Sequence, residues 1–223
     1  MGRQAVALGV FAIATARVAG AAPLPVDRAV VRFDAPETGG VARPRFVFER
    51  ELAFESRLES LSDPDRGERG GLYLDRHVRA ALERHIAEEL LSHLAMDPDP
   101  TPAEIERRMV SARILLEHRV GGPGALADAA AEEGLGVDDV RAIVVREARA
   151  SLYLDRMVAP MLEPSEAELR EVHRSTNNPY RGQRFDDASP MLRKWYVGER
   201  LEAALGAFYQ NARGRVHVVV LPL

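Results

Sequence analysis

The stretch that most restricts how this chain can fold is its final β-branched run, Val216-His217-Val218-Val219-Val220-Leu221. That composition reads as a strand, and a lone strand leaves its backbone N–H and C=O groups without partners. A helical pattern precedes it: Leu192, Trp195, Tyr196, Leu201, Ala204, Leu205, Phe208 and Tyr209 recur at helical spacing. Ser189-Pro190 offers that helix an N-cap hydroxyl and a proline at the first helical position. Gly214 suits a left-handed C-cap. The nearest comparable run lies at the opposite end, Ala29-Val30-Val31-Arg32-Phe33. The two ends must find each other. The expected fold class is mainly α, a multi-helix domain with a small antiparallel sheet formed by the N- and C-terminal strands.

Between the ends, helical periods dominate. Asp34-Ala35-Pro36-Glu37-Thr38-Gly39-Gly40 is turn chemistry, and residues 45–48 suit a short return strand. A helix is expected from Glu49 with Leu52, Leu58 and Leu61 on one face, ending at Ser62-Asp63-Pro64-Asp65; a loop continues through Gly70-Gly71. Leu74, Val78, Leu82, Ile86, Leu90 and Leu94 then fall every four residues, thickened by Ala81 and Leu91. Thr101-Pro102-Ala103-Glu104 is a capping box for a third helix using Ile105, Met109, Ala112 and Leu116. Gly121-Gly122-Pro123 ends it. A short alanine-rich helix over residues 125–133 is closed by Gly134. A long one follows, reaching about Met161, with Val140, Ile143, Val144, Leu154 and Val158 inward. Arg146, Arg149 and Arg156 suit its dipole. Ser165-Glu166-Ala167-Glu168 caps a brief helix through Leu169 and Val172, and residues 175–187 are polar and turn-rich.

The N-terminus reads as an address. Met1-Gly2-Arg3-Gln4 is a short positive start, residues 5–16 are an apolar run, and Ala19-Gly20-Ala21 supplies a small-x-small cleavage pattern. The run is too short to span a bilayer and Arg17 interrupts it. The expectation is a signal peptide over residues 1–21, export to the periplasm, and no stable membrane insertion. The chain has no cysteine, which excludes disulfides and thiolate sites. Its formal charge of -4 implies no broad cationic surface, so no nucleic-acid partner is expected.

The order of these elements resembles the SurA-like periplasmic chaperones, the non-catalytic part of exported parvulin-type prolyl isomerases. Val26-Asp27-Arg28-Ala29-Val30-Val31 is similar to that family's opening strand, with residues 36–44 lengthening the turn after it. Ala80-Ala81-Leu82-Glu83-Arg84-His85-Ile86-Ala87-Glu88-Glu89-Leu90-Leu91 resembles its Leu-Ile-Asp-Glu-Leu-Leu helix. Thr101-Pro102-Ala103-Glu104-Ile105-Glu106 resembles the cap and acidic turn that follow. Gly134-Leu135, Val140-Arg141 and Tyr153-Leu154 are similar to its Gly-Leu-Ser helix. Glu163-Pro164-Ser165-Glu166-Ala167-Glu168-Leu169 looks like its Val-Ser-Glu-Ala-Glu-Leu segment. The likeness runs over most of residues 26–221. In catalytic members an isomerase domain of roughly ninety residues follows that last helix. Here a linker over residues 175–188 stands in its place, far too little for a packed domain, and His173 and His217 match no catalytic signature. The resemblance implies a chaperone core over residues 22–174 completed by residues 189–223, with the isomerase absent and no catalytic residue.

Other chemistry finds weak support. His85, Glu89 and His93 stand at i, i+4 and i+8 and could present metal ligands along one helix; the plainer reading is a solvated stripe beside the Leu/Ile face, so no metal site is expected. His77 and His118 stand without a matching ligand set. Glu88-Glu89, Glu132-Glu133, Asp138-Asp139 and Asp186-Asp187 could be imagined as acid/base couples, but ordinary capping and solvation account for them. No catalytic triad order, phosphate-cradling loop or metalloprotease helix is present, and no cofactor is expected. Binding remains. Tyr73, Met96, Met109, Tyr153, Met157 and Met161 are the candidate lining of an apolar peptide-binding crevice, although residue by residue the plainer reading is that they complete the core. Expected partners are unfolded polypeptides, outer-membrane proteins among them. The other reading is a non-catalytic accessory subunit of a secretion or surface-assembly system, dedicated to one partner.

Overall fold

The computed structural model describes residues 27–36, 41–65, 73–175, 177–213 and 215–222. The expected signal peptide, the glycine pairs at 39–40 and 70–71, and the cap at Gly214 lie outside those residues.

β1 (Ala29–Ala35) is the middle strand of a three-stranded antiparallel sheet, flanked by β2 (Val41–Phe48) and β3 (His217–Val220). The two chain ends do meet. Val31 stands opposite Val47 and Val220, Arg32 opposite Phe46 and Val219, and Phe33 opposite Arg45 and Val218. Alternation then puts Val31, Phe33 and Ala35 on the covered face. β2 begins at Val41, not Arg45, so residues 41–44 of the turn expected over residues 36–44 are strand. Pro44 is tolerated there because β2 is an edge strand, where a missing ladder donor costs least.

Five helices follow: α1 (Glu49–Ser62), α2 (Asp75–Ser92), α3 (Pro102–Val120), α4 (Pro123–Glu132) and α5 (Val137–Tyr153). The capping box of α3 forms as its sequence predicts. The Glu104 N–H donates to Thr101 Oγ1 at 3.3 Å, and the Thr101 N–H donates to Glu104 Oε2 at 2.8 Å. The Thr101 N–H and hydroxyl both donate to the Glu104 carboxylate and pull it down to about 2. Gly121, at φ 97°, closes the helix in a conformation that an L side chain rarely takes. Phe54, Leu58, Met109, Leu116, Leu126, Val140, Ile143 and Val144 make one apolar core among α1, α3, α4 and α5. A second core lies under the sheet. There Val31, Phe33, Val41, Val47 and Leu90 are fully buried, with Leu52, Leu82, Ile86 and Phe208 packed around them. Thus the apolar face expected for α1 divides: Leu58 and Leu61 join the helical core, and Leu52 turns to the sheet.

The long helix expected to reach Met161 is α-helical only to Tyr153. It widens to a π turn over Leu154–Val158 and tightens to 3₁₀ over Ala159–Leu162. Pro160 has no N–H to donate, so α-type bonding cannot continue through it. α6 (Glu166–Arg174) is capped by Ser165, whose Oγ accepts from the Glu168 N–H at 3.2 Å. α7 (Phe185–Arg213) has 29 residues and spans about 43 Å. It starts ahead of the expected Ser189-Pro190 boundary, leaving Pro190 inside the helix. Phe185 supplies the reason. Its ring lies edge-on to His173 at 5.5 Å and under the Arg170 guanidinium at 4.3 Å, which anchors an extra turn before the proline. Asp186 and Asp187 then occupy the first turn, where acids complement the dipole. The connector before α7 is therefore residues 175–184, shorter than the 175–188 linker. Leu169, Ala188 and Leu192 are wholly buried along α6 and α7.

Candidate functional site

The densest chemistry in the molecule lies where α1, α2 and α5 converge. Arg146 projects from α5, three residues after Ile143 on that helix's inward side, and is nearly buried. Its Nη1 donates to Glu51 Oε1 at 2.6 Å, its Nη2 to Glu55 Oε1, and its Nε to Glu88 Oε2 at 3.3 Å. Glu51 and Glu55 are one turn apart on α1; Glu88 comes from α2. His85, also on α2 and 2% exposed, has Nδ1 3.2 Å from both Glu55 oxygens. A second tier borders it. Arg84 pairs with Glu59, and Glu147 lies in the field of Arg119 and Arg84.

Burial opposes every charge in this cluster, and the outcome differs from group to group. It works against the Arg146 guanidinium, but Glu55, Glu88 and Glu51 outweigh it and hold the arginine more firmly protonated than usual. It would raise the Glu55 carboxyl, yet Arg146 and His85 more than offset this and leave it below its ordinary range. Glu88 goes the other way. Burial pushes it up to about 7, because Arg146 touches it at longer range and Glu55 and Glu147 repel its charge. Burial also raises Glu147 and lowers Arg119. Glu55, Arg84, Glu88, Arg119 and Glu147 line a cavity of about 20 Å³ with Leu58, Leu116 and Ile143, space enough for one water. What this cluster can exchange is a proton or a water.

Glu51, Glu55 and His85 bring one ligand atom each within 4.8 Å of one another, a spacing that would suit a metal. Arg146 donates to both carboxylates, so a fixed positive charge already stands among them. The donor set fits a guanidinium, not a metal ion.

The solvated stripe expected of His85, Glu89 and His93 does not form. His85 is in the core against Glu55. His93 turns away, with its Nε2 2.6 Å from Arg45 Nη2 and its Nδ1 2.8 Å from the Glu89 carbonyl. Glu88, expected to be ordinarily solvated, is enclosed as well. The other acid pairs do local work. Glu132 and Glu133 both bind Arg57 at 2.5 Å, and Asp139 accepts the Gly136 N–H at 2.8 Å. His77 is a structural clasp. Its Nδ1 accepts the Leu74 N–H at 3.0 Å, so its Nε2 carries the proton and donates to Asp63 at 2.9 Å. That bond, joined by Arg76, holds the Asp63 carboxyl far below its usual range.

The six residues assigned to a peptide-binding crevice do not share one surface. Met109 is 6% exposed on the inward stripe of α3 with Ala112 and Leu116, and Met96 is equally enclosed; both complete the core. Tyr73 and Tyr153 are half-buried. Met157 and Met161 stand out from the π and 3₁₀ segment, Met161 at 73% exposure. Other apolar surface went unnoticed in the sequence. Val110, Ile114 and Leu115 are exposed on α3, and an apolar groove of about 180 Å³ runs past Leu126, Ala127, Ala131, Leu135 and Val137. On the sheet, Phe46, Phe48, Val218, Val219 and Val220 are exposed. Val110, Ile114 and Leu115 fall off the inward stripe of Ile105, Met109, Ala112 and Leu116, so the helical period does not single them out.

No helix among the described residues is long and apolar enough to cross a membrane. Set beside known proteins, the chain matches no family model, no curated protein and no solved structure.

Proposed function

We propose that this chain is an ATP-independent periplasmic chaperone that holds unfolded or outer-membrane-bound polypeptides, without prolyl isomerase activity. The observation that supports the reading most is topological. The last strand pairs with the first around a helical body, and only residues 175–184 separate α6 from α7, which is the arrangement that the SurA-like resemblance implies for a core without its isomerase. Exposed apolar groups distributed over Met157, Met161, the α3 face and the sheet offer a client several weak holds instead of one deep pocket. Each contributes roughly 25 cal/mol per Å² of apolar area covered, before ordering costs, so binding is promiscuous and micromolar. The direct test is aggregation of several unrelated unfolded clients, with and without a stoichiometric amount of the protein. Suppression across all of them is expected. Co-purification with one partner and no effect on any client would transfer the chain to the dedicated accessory role, and isomerisation of a proline tetrapeptide well above background would refute the non-catalytic reading.

A further inference from the structure

The two edges of the sheet are finished differently. β2 carries Arg43, Pro44 and Arg45 and two register irregularities against β1, the devices by which natural sheets discourage further strands. β3 carries none of them. It is His217-Val218-Val219-Val220, exposed at every position, and its one polar side chain is engaged with Asp34 at 3.2 Å. Among the described residues it pairs only with β1. The direction of its main chain can be read from one bond: the Leu221 N–H donates to the Val30 carbonyl at 2.9 Å. In an antiparallel ladder, hydrogen-bonded positions alternate, so Leu221, Val219 and His217 turn towards β1, and Val218 and Val220 turn their N–H and C=O groups outward. Pro222 is the next outward position and has no N–H, which ends the open edge there.

We propose that β3 is an acceptor edge for an extended segment of an unfolded polypeptide, which adds to the sheet as a fourth strand beside Val218 and Val220. This rests on the chaperone reading and names how a client is held. A strand is the occupant because the exposed groups are main-chain donors and acceptors, matched by any sequence in extended form. Area argues against a second folded molecule. Val218, Val219 and Val220 are between 43% and 73% exposed, and together offer on the order of 250 Å², about a third of what one partner of a stable interface buries. A short segment needs no more. Val218 and Val220 meet one face of the incoming strand and Val219 the other, so alternating apolar side chains are favoured on either side.

The probe is a fluorescein-labelled seven-residue peptide of alternating threonine and valine, compared by polarisation with the same peptide N-methylated at every residue. Binding of the first and at least a tenfold loss for the second is expected, because side chains are unchanged while each main-chain donor is replaced by a methyl group that cannot join a ladder. In the full chain, Val220→Pro deletes an outward N–H and spares the β1 ladder, and should also weaken the first peptide at least tenfold while the circular dichroism melt stays in place. Equal binding of both peptides overturns the proposal whatever the variant does. So does a concentration-dependent dimer that Val220→Pro dissolves, which would make β3 an interface between copies. Undiminished suppression of client aggregation by Val220→Pro overturns strand addition and leaves the chaperone reading standing. Peptide binding without any suppression by the unaltered chain does the reverse.

Discussion

Helix α2 is buried on two sides, and the two sides are made of different material. Towards the sheet it presents Leu82, Ile86 and Leu90 to Val31, Phe33 and Val47, an apolar contact held by area alone. Towards α1 and α5 it presents His85 and Glu88 to Glu55 and Arg146, where each group depends on a partner from another helix. An apolar face that slips a little loses some area. A charged one that slips strands a carboxylate in the core. The contrast teaches that one helix can take its stability from one face and its register from the other.

The sharpest way to break this division is to remove Arg146. Arg146→Met keeps much of the stem volume but leaves Glu51, Glu55 and Glu88 without their shared cation, and should cost about 3–5 kcal/mol in urea unfolding. Restoring shape without charge is the informative partner experiment. Arg146→Met combined with Glu55→Leu, Glu88→Leu and His85→Leu should recover most of that loss, because an apolar set of similar volume needs no partners. If Arg146→Met alone unfolds no more easily than the parent, the network does not fix these helices. Leu90→Ala on the opposite face should cost about 2–4 kcal/mol through lost transfer and cavity terms. It should add to Arg146→Met within about 0.5 kcal/mol, because the two faces meet where His85 lies edge-on to Phe33 at 6.4 Å, a contact that neither substitution removes. Strong coupling between them would mean that α2 moves as one piece and that its faces are not separate.

These two faces were also unequally legible in the sequence. The period of Leu82, Ile86 and Leu90 marks an inward stripe, and the cap chemistry of Thr101, Gly121 and Ser165 marks helix ends, because such signals are local. The meeting of β1 with β3 followed from a strand's need for a partner. The charged face left no such trace. Glu55, His85 and Arg146 are separated by 30 and by 61 positions in the chain, and each alone resembles a solvated helix residue. Their burial is a property of the assembled trio. The start of α7 was misplaced for a related reason: Ser189-Pro190 is a sound local signal, but Phe185 has tertiary partners in His173 and Arg170 that extend the helix past it. Met109 and Met96, assigned to a crevice, show the limit from the other side, since a flexible apolar side chain suits a groove and a core equally well.

The finest distinction between the faces is their response to pH, and here the sign of each group matters. Glu88 in the fold titrates at about 7, against 4.5 for an unburied glutamate. Between those values the folded chain keeps a proton that the unfolded chain has released, so stability is full below pH 4.5 and declines as pH rises to 7. The displacement corresponds to at most about 3 kcal/mol, and relaxation around the cluster brings the expected decline nearer 1–2. Glu55, held below its ordinary range, acts oppositely, and its contribution is lost only as pH falls below 4.5. The pH dependence of the whole protein sums over every ionisable group, so the useful quantity is the difference made by Glu88→Gln. Glutamine never ionises, and the variant should match the parent at pH 4 and exceed it at pH 8, with urea midpoints converging as the buffer is acidified. Leu90→Ala should leave the parent's pH slope untouched. A Glu88→Gln curve parallel to the parent's would mean that Glu88 keeps its charge in the core at neutral pH, and that the charged face, like the apolar one, does not respond to protons.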